Sequence, residues 1–292
     1  MIDHKVTAGS GRTLSVREEG IPRGHPVFAL HGTPGSRLLY PPIVADAERK
    51  GIRLISYDRP GYGGSTPHPG RTVGDAARDI ATIADQLGID RFGVWGHSGG
   101  GAPALACAAL LGTRVVGAVS VAGVAPYPAE GLDDWLAGTG EWNVEDFRLM
   151  LNDRSAWEKK NAHDCEEMLG WNRDQLRAGF ASLCSEVDRR AMTDELVDFF
   201  LRQMREGVAP GDAGMRDDGL STILPWGFTP SQIRVPVQVW HGDQDRFVPV
   251  SHGRWIAERI PNVEAHIEPE QGHLTVYVGR IPLAQSWLAA KF

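Results

Sequence analysis

The chain has 292 residues, of which 42% are hydrophobic and 23% are charged, and its formal net charge is −7. These values are ordinary for a globular protein with a large core. The acidic balance argues against a general nucleic-acid binder, which would need a basic face.

The first residues, Met-Ile-Asp-His-Lys-Val, lack the charged-then-apolar run of a signal peptide. No stretch approaches the roughly 18 apolar residues that span a bilayer. The three cysteines, Cys107, Cys165 and Cys184, show no metal-like spacing. We therefore expect a cytoplasmic protein with reduced cysteines, although a Cys165–Cys184 disulfide remains an open alternative. We expect a small-molecule substrate and no cofactor, nucleic-acid partner or membrane partner, while the sequence carries no signal of oligomeric state.

The first half of the chain alternates predicted strands with predicted helices. Residues 3–8 and 12–19 predict an antiparallel hairpin around Gly9-Ser10-Gly11. Short apolar runs then predict buried strands at 25–30, 52–57, 91–95 and 115–121, and apolar periodicity predicts helices at 37–50, 72–87 and 101–111. This alternation predicts βαβ units and a largely parallel sheet.

The alternation stops between residues 125 and 230, where no buried strand is predicted. Helical patterns occur instead at 132–137, 143–152, 154–169, 173–184 and 191–206, and Gly, Pro and Asp make 207–219 the most loop-like segment. The α/β pattern resumes with strands at 235–241 and 263–268 and helices at 250–260 and 282–291. We therefore predict an α/β core formed by 1–124 and 231–292, with a helical cap inserted at 125–230. Most aromatic residues of the cap are expected to pack between its helices rather than to contact substrate.

The sequence Gly-His-Ser-Gly-Gly at 96–100 lies between a predicted strand and a predicted helix. A G-x-S-x-G turn in that setting is typical of a nucleophile elbow, in which the serine adopts a strained conformation at the strand tip. The flanking glycines leave room where a side chain would collide with a neighbouring strand or helix. Ser98 is therefore the candidate nucleophile.

A serine hydroxyl needs a base to accept its proton, and the base needs an acid that holds its tautomer. In this architecture the acid and then the histidine follow the serine, each in a loop after a strand. Asp245 and Asp243 both follow the strand at 235–241, and Asp245 is favoured because it lies deeper in the loop. Asp243 abuts the strand and is expected to bond local backbone. Of ten histidines, His273 has the right position for the base.

An oxyanion hole requires two N–H groups aimed at the charge that develops on the carbonyl oxygen. One is expected from Gly99, directly after the nucleophile. The other is expected from the loop after strand 25–30, where Thr33 is the best candidate and Gly32 the alternative. We expect His31 and Pro34 to shape this loop.

These motifs together resemble the α/β-hydrolase-fold superfamily, specifically its capped, single-domain serine hydrolases in the group of esterases and proline iminopeptidases. The resemblance rests on the segments at 31–35, 58–65, 96–100, 242–249 and 272–273, in the family's order. It implies a Ser98–His273–Asp245 triad with oxyanion donors at Thr33 and Gly99, and a structural role for the Asp58-Arg59 loop. It leaves the substrate open, because enzymes of this fold share these motifs across several reactions.

Two departures narrow the family resemblance. Haloalkane dehalogenases and epoxide hydrolases of this fold use an aspartate where this chain has Ser98. Proline iminopeptidases usually have a glycine-rich loop where this chain has Thr33, and a tryptophan where it has His97. A peptidase is therefore less favoured than an esterase.

The leading hypothesis is a carboxylesterase-like hydrolase (EC 3.1.1.-) acting on a small, largely apolar acyl substrate. The alternative keeps the triad but cleaves a prolyl amide, a lactone or a carbon–carbon bond of a diketone, or performs perhydrolysis. A non-catalytic binding protein of this fold is a third hypothesis, disfavoured because all three triad candidates are present. A metal site around residues 241–245 is also disfavoured, because no second cluster completes a ligand shell.

Overall fold

The structure is a computed structural model that describes residues 1–292, excepting the side chain of residue 10. Within the described residues, eight strands form one sheet. The strands are β1 (Ile2–Thr7), β2 (Thr13–Gly20), β3 (His25–Leu30), β4 (Ile52–Tyr57), β5 (Phe92–His97), β6 (Val115–Val121), β7 (Val237–Gly242) and β8 (Val263–Glu268). Their order is β1-β2-β4-β3-β5-β6-β7-β8. The predicted hairpin is confirmed, since β1 pairs with β2 antiparallel, and β2 with β4 likewise, while all pairs from β4 to β8 are parallel.

Helices cover both faces of the sheet. They are α1 (Pro41–Arg49), α2 (Asp75–Gln86), α3 (Gly101–Leu110), α4 (Glu141–Asn152), α5 (Arg154–Gly170), α6 (Arg173–Gly179), α7 (Glu186–Ala191), α8 (Asp194–Val208), α9 (Ala213–Ile223), α10 (Val250–Arg259) and α11 (His273–Ala289). Alternate residues of β3 pack on opposite sides, with Phe28 against α2 and α3 and with Val27 against α1 and α11. The α/β fold class inferred from the sequence is confirmed. The carboxyl ends of the parallel strands therefore meet at one edge, where the site lies.

The six helices α4–α9 lie between β6 and β7, and we call residues 141–223 the helical insertion. They enclose an apolar cluster, which includes Met168, Trp171, Leu176, Val197 and Leu201 and to which α11 of the core contributes Leu274. The division of the chain at residues 125 and 230 remains a prediction.

Two predicted helices begin at other residues than expected, and each of them contains proline. The first helix begins at Pro41 rather than at residue 37, because Tyr40 is its N-cap and prolines fit its first turn. The last helix begins at His273 rather than at 282, so His273 opens a helix instead of lying in a loop, and Pro282 is accommodated inside that helix.

The predicted helix at 132–137 was wrong, because this stretch forms turns. It is too short to nucleate a helix on its own, and glycines with positive φ flank it at Gly131 (φ 79°) and Gly138 (φ 90°). The pattern at 173–184 also ends early, at Gly179.

The predicted loop at 207–219 was largely wrong. The helix α8 runs to Val208, and α9 begins at Ala213. Two neighbouring aspartates of α9, Asp217 and Asp218, are buried. The hydrogen bonds and ion pairs of Asp218 with Thr33, Arg59, Tyr62 and Arg71 of the core outweigh the low helix propensity of this glycine- and aspartate-rich segment.

All three cysteines are buried and free, so the Cys165–Cys184 disulfide does not form. Burial raises the pKa of the Cys165 and Cys184 thiols to about 12. None of the helices in the described part of the chain is both long and apolar enough to cross a bilayer.

Candidate active site

Ser98 follows β5 directly and has a φ of 54°, in the left-handed region that non-glycine residues rarely adopt. The neighbouring glycines have no room for a side chain. A Cβ on Gly96 would overlap the Gly100 carbonyl, and a Cβ on Gly100 would overlap the Leu30 carbonyl at the end of β3. The expectation that glycines make room for the elbow is confirmed, and the turn presents a half-buried Ser98 ahead of α3.

His273 and Asp245 form a buried pair, with His273 Nδ1 2.7 Å from Asp245 Oδ2. Oδ1 of Asp245 accepts hydrogen bonds from the Phe247 and Val248 N–H groups, each at 2.9 Å. An ionised carboxylate only accepts, so this contact places a proton on Nδ1 and leaves Nε2 as a base. The Phe247 ring stacks on the His273 imidazole at 4.5 Å between centroids and limits its rotation.

A second histidine, His241, also faces Asp245. Its Nε2 lies 2.8 Å from the Val248 carbonyl oxygen and 3.4 Å from Asp245 Oδ2, with no exposed side-chain surface. Burial by itself would raise the pKa of Asp245, but His273 and His241 outweigh it and hold this pKa below its usual range. The sequence analysis assigned no catalytic role to His241, because its contact with Asp245 depends on how the loop after β7 folds back.

The alternative acid, Asp243, bonds backbone, but the partner lies 27 residues further along the chain and not in its own loop as expected. Its Oδ1 accepts a hydrogen bond from the Glu270 N–H at 2.9 Å. The structure therefore brings Asp245, and not Asp243, to His273.

Thr33 and Gly99 are in contact, as their predicted oxyanion role requires. A Cβ built on Gly99 would lie 3.3 Å from the Thr33 backbone nitrogen and would overlap the Thr33 hydroxyl. The alternative donor, Gly32, also lies close, because its Cβ would be 3.3 Å from the Ser98 Cβ. His31 shapes this loop through Nε2, which accepts the Arg59 N–H at 3.2 Å.

Two carboxylates of the helical insertion reach these same segments, and the sequence analysis missed both. Asp188 of α7 accepts a hydrogen bond from the His273 N–H at 3.0 Å. Asp218 of α9 accepts one from the Thr33 hydroxyl at 2.5 Å. Asp218 lies in the segment interpreted as a loop, and Asp188 lies in a short helix whose pattern gave no sign of a long-range contact.

Two cavities meet at Ser98. The larger has a volume of about 280 Å³, and its walls are mostly apolar. They include core residues together with Trp142, Phe147, Trp157 and Trp171 of the insertion. The smaller has a volume of about 70 Å³. Its walls include His273, Leu274, Phe200, Met204 and Tyr277. Both cavities share Thr33, Pro34, Ser98, Phe180 and Phe247.

With this geometry in place, a family model described as the alpha/beta hydrolase fold matches residues 25–279. The match covers most of the chain. The chain belongs to the α/β-hydrolase family. Within the described residues, no three His, Cys, Asp or Glu side chains are grouped so that they could hold a metal ion.

Relatives within the α/β-hydrolase family differ in activity. The chain is 26% identical over 273 residues to a non-heme haloperoxidase of Rhodococcus erythropolis, covering 92% of each chain. It is 28% identical over 267 residues to a bifunctional esterase/perhydrolase of Acinetobacter calcoaceticus, covering 88% of each. The structure of a thermophilic esterase from Thermogutta terrifontis superposes with a TM-score of 0.68 at 22% identity, over 100% of this chain and 99% of that one. A hydrolase role is supported, and the substrate is left open.

Proposed function

We propose that the protein is a serine hydrolase of carboxylic esters, with Ser98 as nucleophile, His273 as base and Asp245 as the acid that orients it. The observation that carries this proposal is the strained Ser98, which shares a cavity with a histidine whose Nδ1 is held by a buried carboxylate. Two of the relatives described above carry esterase in their names, which supports the choice of bond.

In this mechanism the Ser98 Oγ attacks the ester carbonyl carbon while His273 Nε2 accepts the hydroxyl proton. The carbonyl oxygen becomes an oxyanion that accepts hydrogen bonds from the Thr33 and Gly99 N–H groups. The intermediate collapses as His273 donates its proton to the departing alcohol. Water then attacks the acyl-enzyme by the same route, releasing the acid and restoring Ser98.

The cavities favour a particular arrangement of the ester. The leaving alcohol must lie beside His273, because this residue protonates it, and His273 lines the smaller cavity. The acyl group then occupies the larger one. A cavity of about 150 Å³ is enough for benzene, so 280 Å³ accepts an acyl group larger than one ring. This differs from the small acyl group expected from the sequence, and it favours arylalkanoyl esters of short alcohols.

A pair of isomeric esters tests the function and the orientation together. Methyl 3-phenylpropanoate carries the ring on the acyl side, whereas 2-phenylethyl acetate carries the same atoms with the ring on the alcohol side. We expect the first to show at least about tenfold higher kcat/KM, a difference of roughly 1.4 kcal/mol in transition-state binding. The opposite preference would overturn the orientation. Failure to hydrolyse either ester, with turnover of a prolyl amide or a diketone, would overturn ester hydrolysis.

Replacing Ser98 with alanine is the control for both substrates. We expect a loss on the order of 10³–10⁶-fold in kcat and no labelling by a fluorophosphonate probe. Full activity in this variant would remove Ser98 from the mechanism.

A further inference from the structure

The helical insertion sends two buried carboxylates into the catalytic segments of the core. We propose that Asp188 and Asp218 are positioning residues, Asp188 for the general base His273 and Asp218 for the oxyanion loop at Thr33. The insertion then holds the machinery in its reactive geometry as well as forming the substrate cavity. This inference rests on the proposed roles of His273 and Thr33.

Asp188 caps the helix that begins at the proposed base. The first N–H groups of a helix have no partner within it, and a carboxylate is favoured there by the helix dipole. Oδ2 of Asp188 accepts from the His273 N–H at 3.0 Å. Oδ1 accepts from the Leu274 N–H at 2.8 Å and from the Thr275 N–H at 3.2 Å. The hydroxyl of Ser185 donates to Oδ2 at 3.1 Å. Four donors therefore satisfy a carboxylate that is completely buried.

The chain makes space for this contact at Gly272. A Cβ on that residue would overlap the Asp188 carboxylate, so a glycine immediately before His273 allows the close approach. The His273 carbonyl oxygen is held from the other side, 3.2 Å from His97 Nε2. Both backbone groups of His273 are thus fixed, and Asp245 then fixes its ring. A shift at Asp188 would move the whole residue relative to Ser98.

Asp218 contacts Thr33, on the oxyanion side of the proposed site. Its Oδ2 accepts from the Thr33 hydroxyl at 2.5 Å and from the Tyr62 hydroxyl at 2.7 Å. Its Oδ1 pairs with Arg59 at 2.7 Å and with Arg71 at 2.6 Å. Burial alone would raise the pKa of Asp218, but Arg59 and Arg71 outweigh it and keep this pKa below its usual range.

Arg59 connects Asp218 to the backbone of the same loop. Its Nη2 donates to the Gly32 carbonyl and to the Thr33 hydroxyl, each at 3.1 Å. The position of the Thr33 N–H therefore depends on a network anchored in α9. Because misplacing a catalytic group by about 1 Å can reduce the rate about 10²-fold, both anchors are expected to act on kcat.

The principal test is Asp188→Asn. Its amide keeps one acceptor oxygen but turns an NH₂ group toward backbone N–H donors, so the start of α11 must shift. With active-site-titrated enzyme and methyl 3-phenylpropanoate, we expect kcat to fall about 10- to 100-fold with KM within about twofold. The rate of labelling by a fluorophosphonate probe should fall by a similar factor, because labelling uses the same Ser98–His273 step.

The matched control is Asp153→Asn. Asp153 caps α5 of the same insertion, accepting from the Ala156 N–H at 3.0 Å, and it is exposed. It contacts no residue of the proposed mechanism, so kcat should stay within about twofold even where thermal unfolding shifts. Equal kcat losses in Asp153→Asn and Asp188→Asn would reduce Asp188 to a general structural role and overturn the proposal.

For the oxyanion loop, Thr33→Val removes the hydroxyl that Asp218 holds and leaves the buried Arg59–Asp218–Arg71 charges intact. We expect kcat to fall about tenfold with KM little changed. If Asp188→Asn does not fold, Ser185→Ala tests the same anchor, with an expected loss of about two- to fivefold in kcat.

Folded Asp188→Asn and Thr33→Val variants with wild-type kcat, or with losses confined to KM, would overturn the positioning roles. That result is distinguishable from failure of the proposed function. In the first case the wild-type enzyme hydrolyses methyl 3-phenylpropanoate and Ser98→Ala is inactive. In the second case either the wild-type enzyme does not hydrolyse this ester or Ser98→Ala retains full activity.

Discussion

The sheet core and the helical insertion contribute to the site in different ways. The core presents Ser98, Asp245, His273 and Thr33 from segments that follow its strands, and short local motifs mark each of them. The insertion contributes cavity walls and two carboxylates, Asp188 and Asp218, which act across 85 and 185 residues of chain. Local motifs therefore mark the proposed reacting groups, whereas long-range packing determines their proposed support and the space around them.

The largest expected effect is a difference in kcat between substitutions of Asp245 and of Asp243, two aspartates in one loop of the core. Asp245→Asn is expected to reduce kcat about 10⁴-fold, because an amide NH₂ can no longer hold His273 in the tautomer that leaves Nε2 free. Asp243→Asn should stay within about twofold, since the Asp243 side chain bonds the Glu270 N–H and does not contact His273 in the described structure. Steady-state kinetics on methyl 3-phenylpropanoate measures both. Similar losses in the two variants would show that the loop acts through its fold rather than through Asp245.

The predictability of each region follows from the range of the forces that shape it. The strands of the core and the contact between Asp245 and His273 could be predicted, because apolar runs mark the strands and turn residues mark the loops that follow them. The helix α9 could not, since its glycines and aspartates have poor helix propensity and are stabilised by distant partners such as Tyr62 and Arg71. His241 was missed for a related reason, because its contact with Asp245 depends on how the loop folds back.

As the pH falls, buried histidines of the core should reduce the stability of the protein before Asp218 of the insertion does. His252 of the core is buried, with Nδ1 accepting the Ala125 N–H at 3.1 Å and Nε2 2.9 Å from the Trp135 carbonyl oxygen. Burial lowers the pKa of His252 to about 4, and burial together with Arg59 lowers the pKa of His31 to about 3. Each histidine binds a proton more readily when unfolded, so stability is full above about pH 6.5 and decreases as the pH falls toward 4.

Each histidine contributes a slope of up to about 1.4 kcal/mol per pH unit in that window. In His252→Gln the side chain keeps one acceptor and one donor but cannot ionise, so the slope should decrease by about one proton. Urea unfolding at pH 7, 6, 5 and 4.5 measures it. The depressed pKa of Asp218 acts in the same direction but at lower pH, contributing stability that is present above about pH 4 and lost below it. An unchanged slope in His252→Gln would mean that His252 is already charged in the folded protein.

The smallest expected effects concern glycines in two helices, one from each region. Gly214 of α9 lies against the Tyr62 ring, and a Cβ there would come within 2.6 Å of it. Gly214→Ala should destabilise the protein by about 1–3 kcal/mol, because neither the ring nor the helix can yield without disturbing Asp218. Gly279 of α11 has nothing within 4 Å of its Cβ position, so Gly279→Ala should stabilise by about 0.5–1 kcal/mol through helix propensity alone. Urea midpoints at pH 7 provide both values. If Gly214→Ala leaves the free energy of unfolding unchanged, α9 can move away from the core. The anchoring of Thr33 through Asp218 would then have to tolerate that movement.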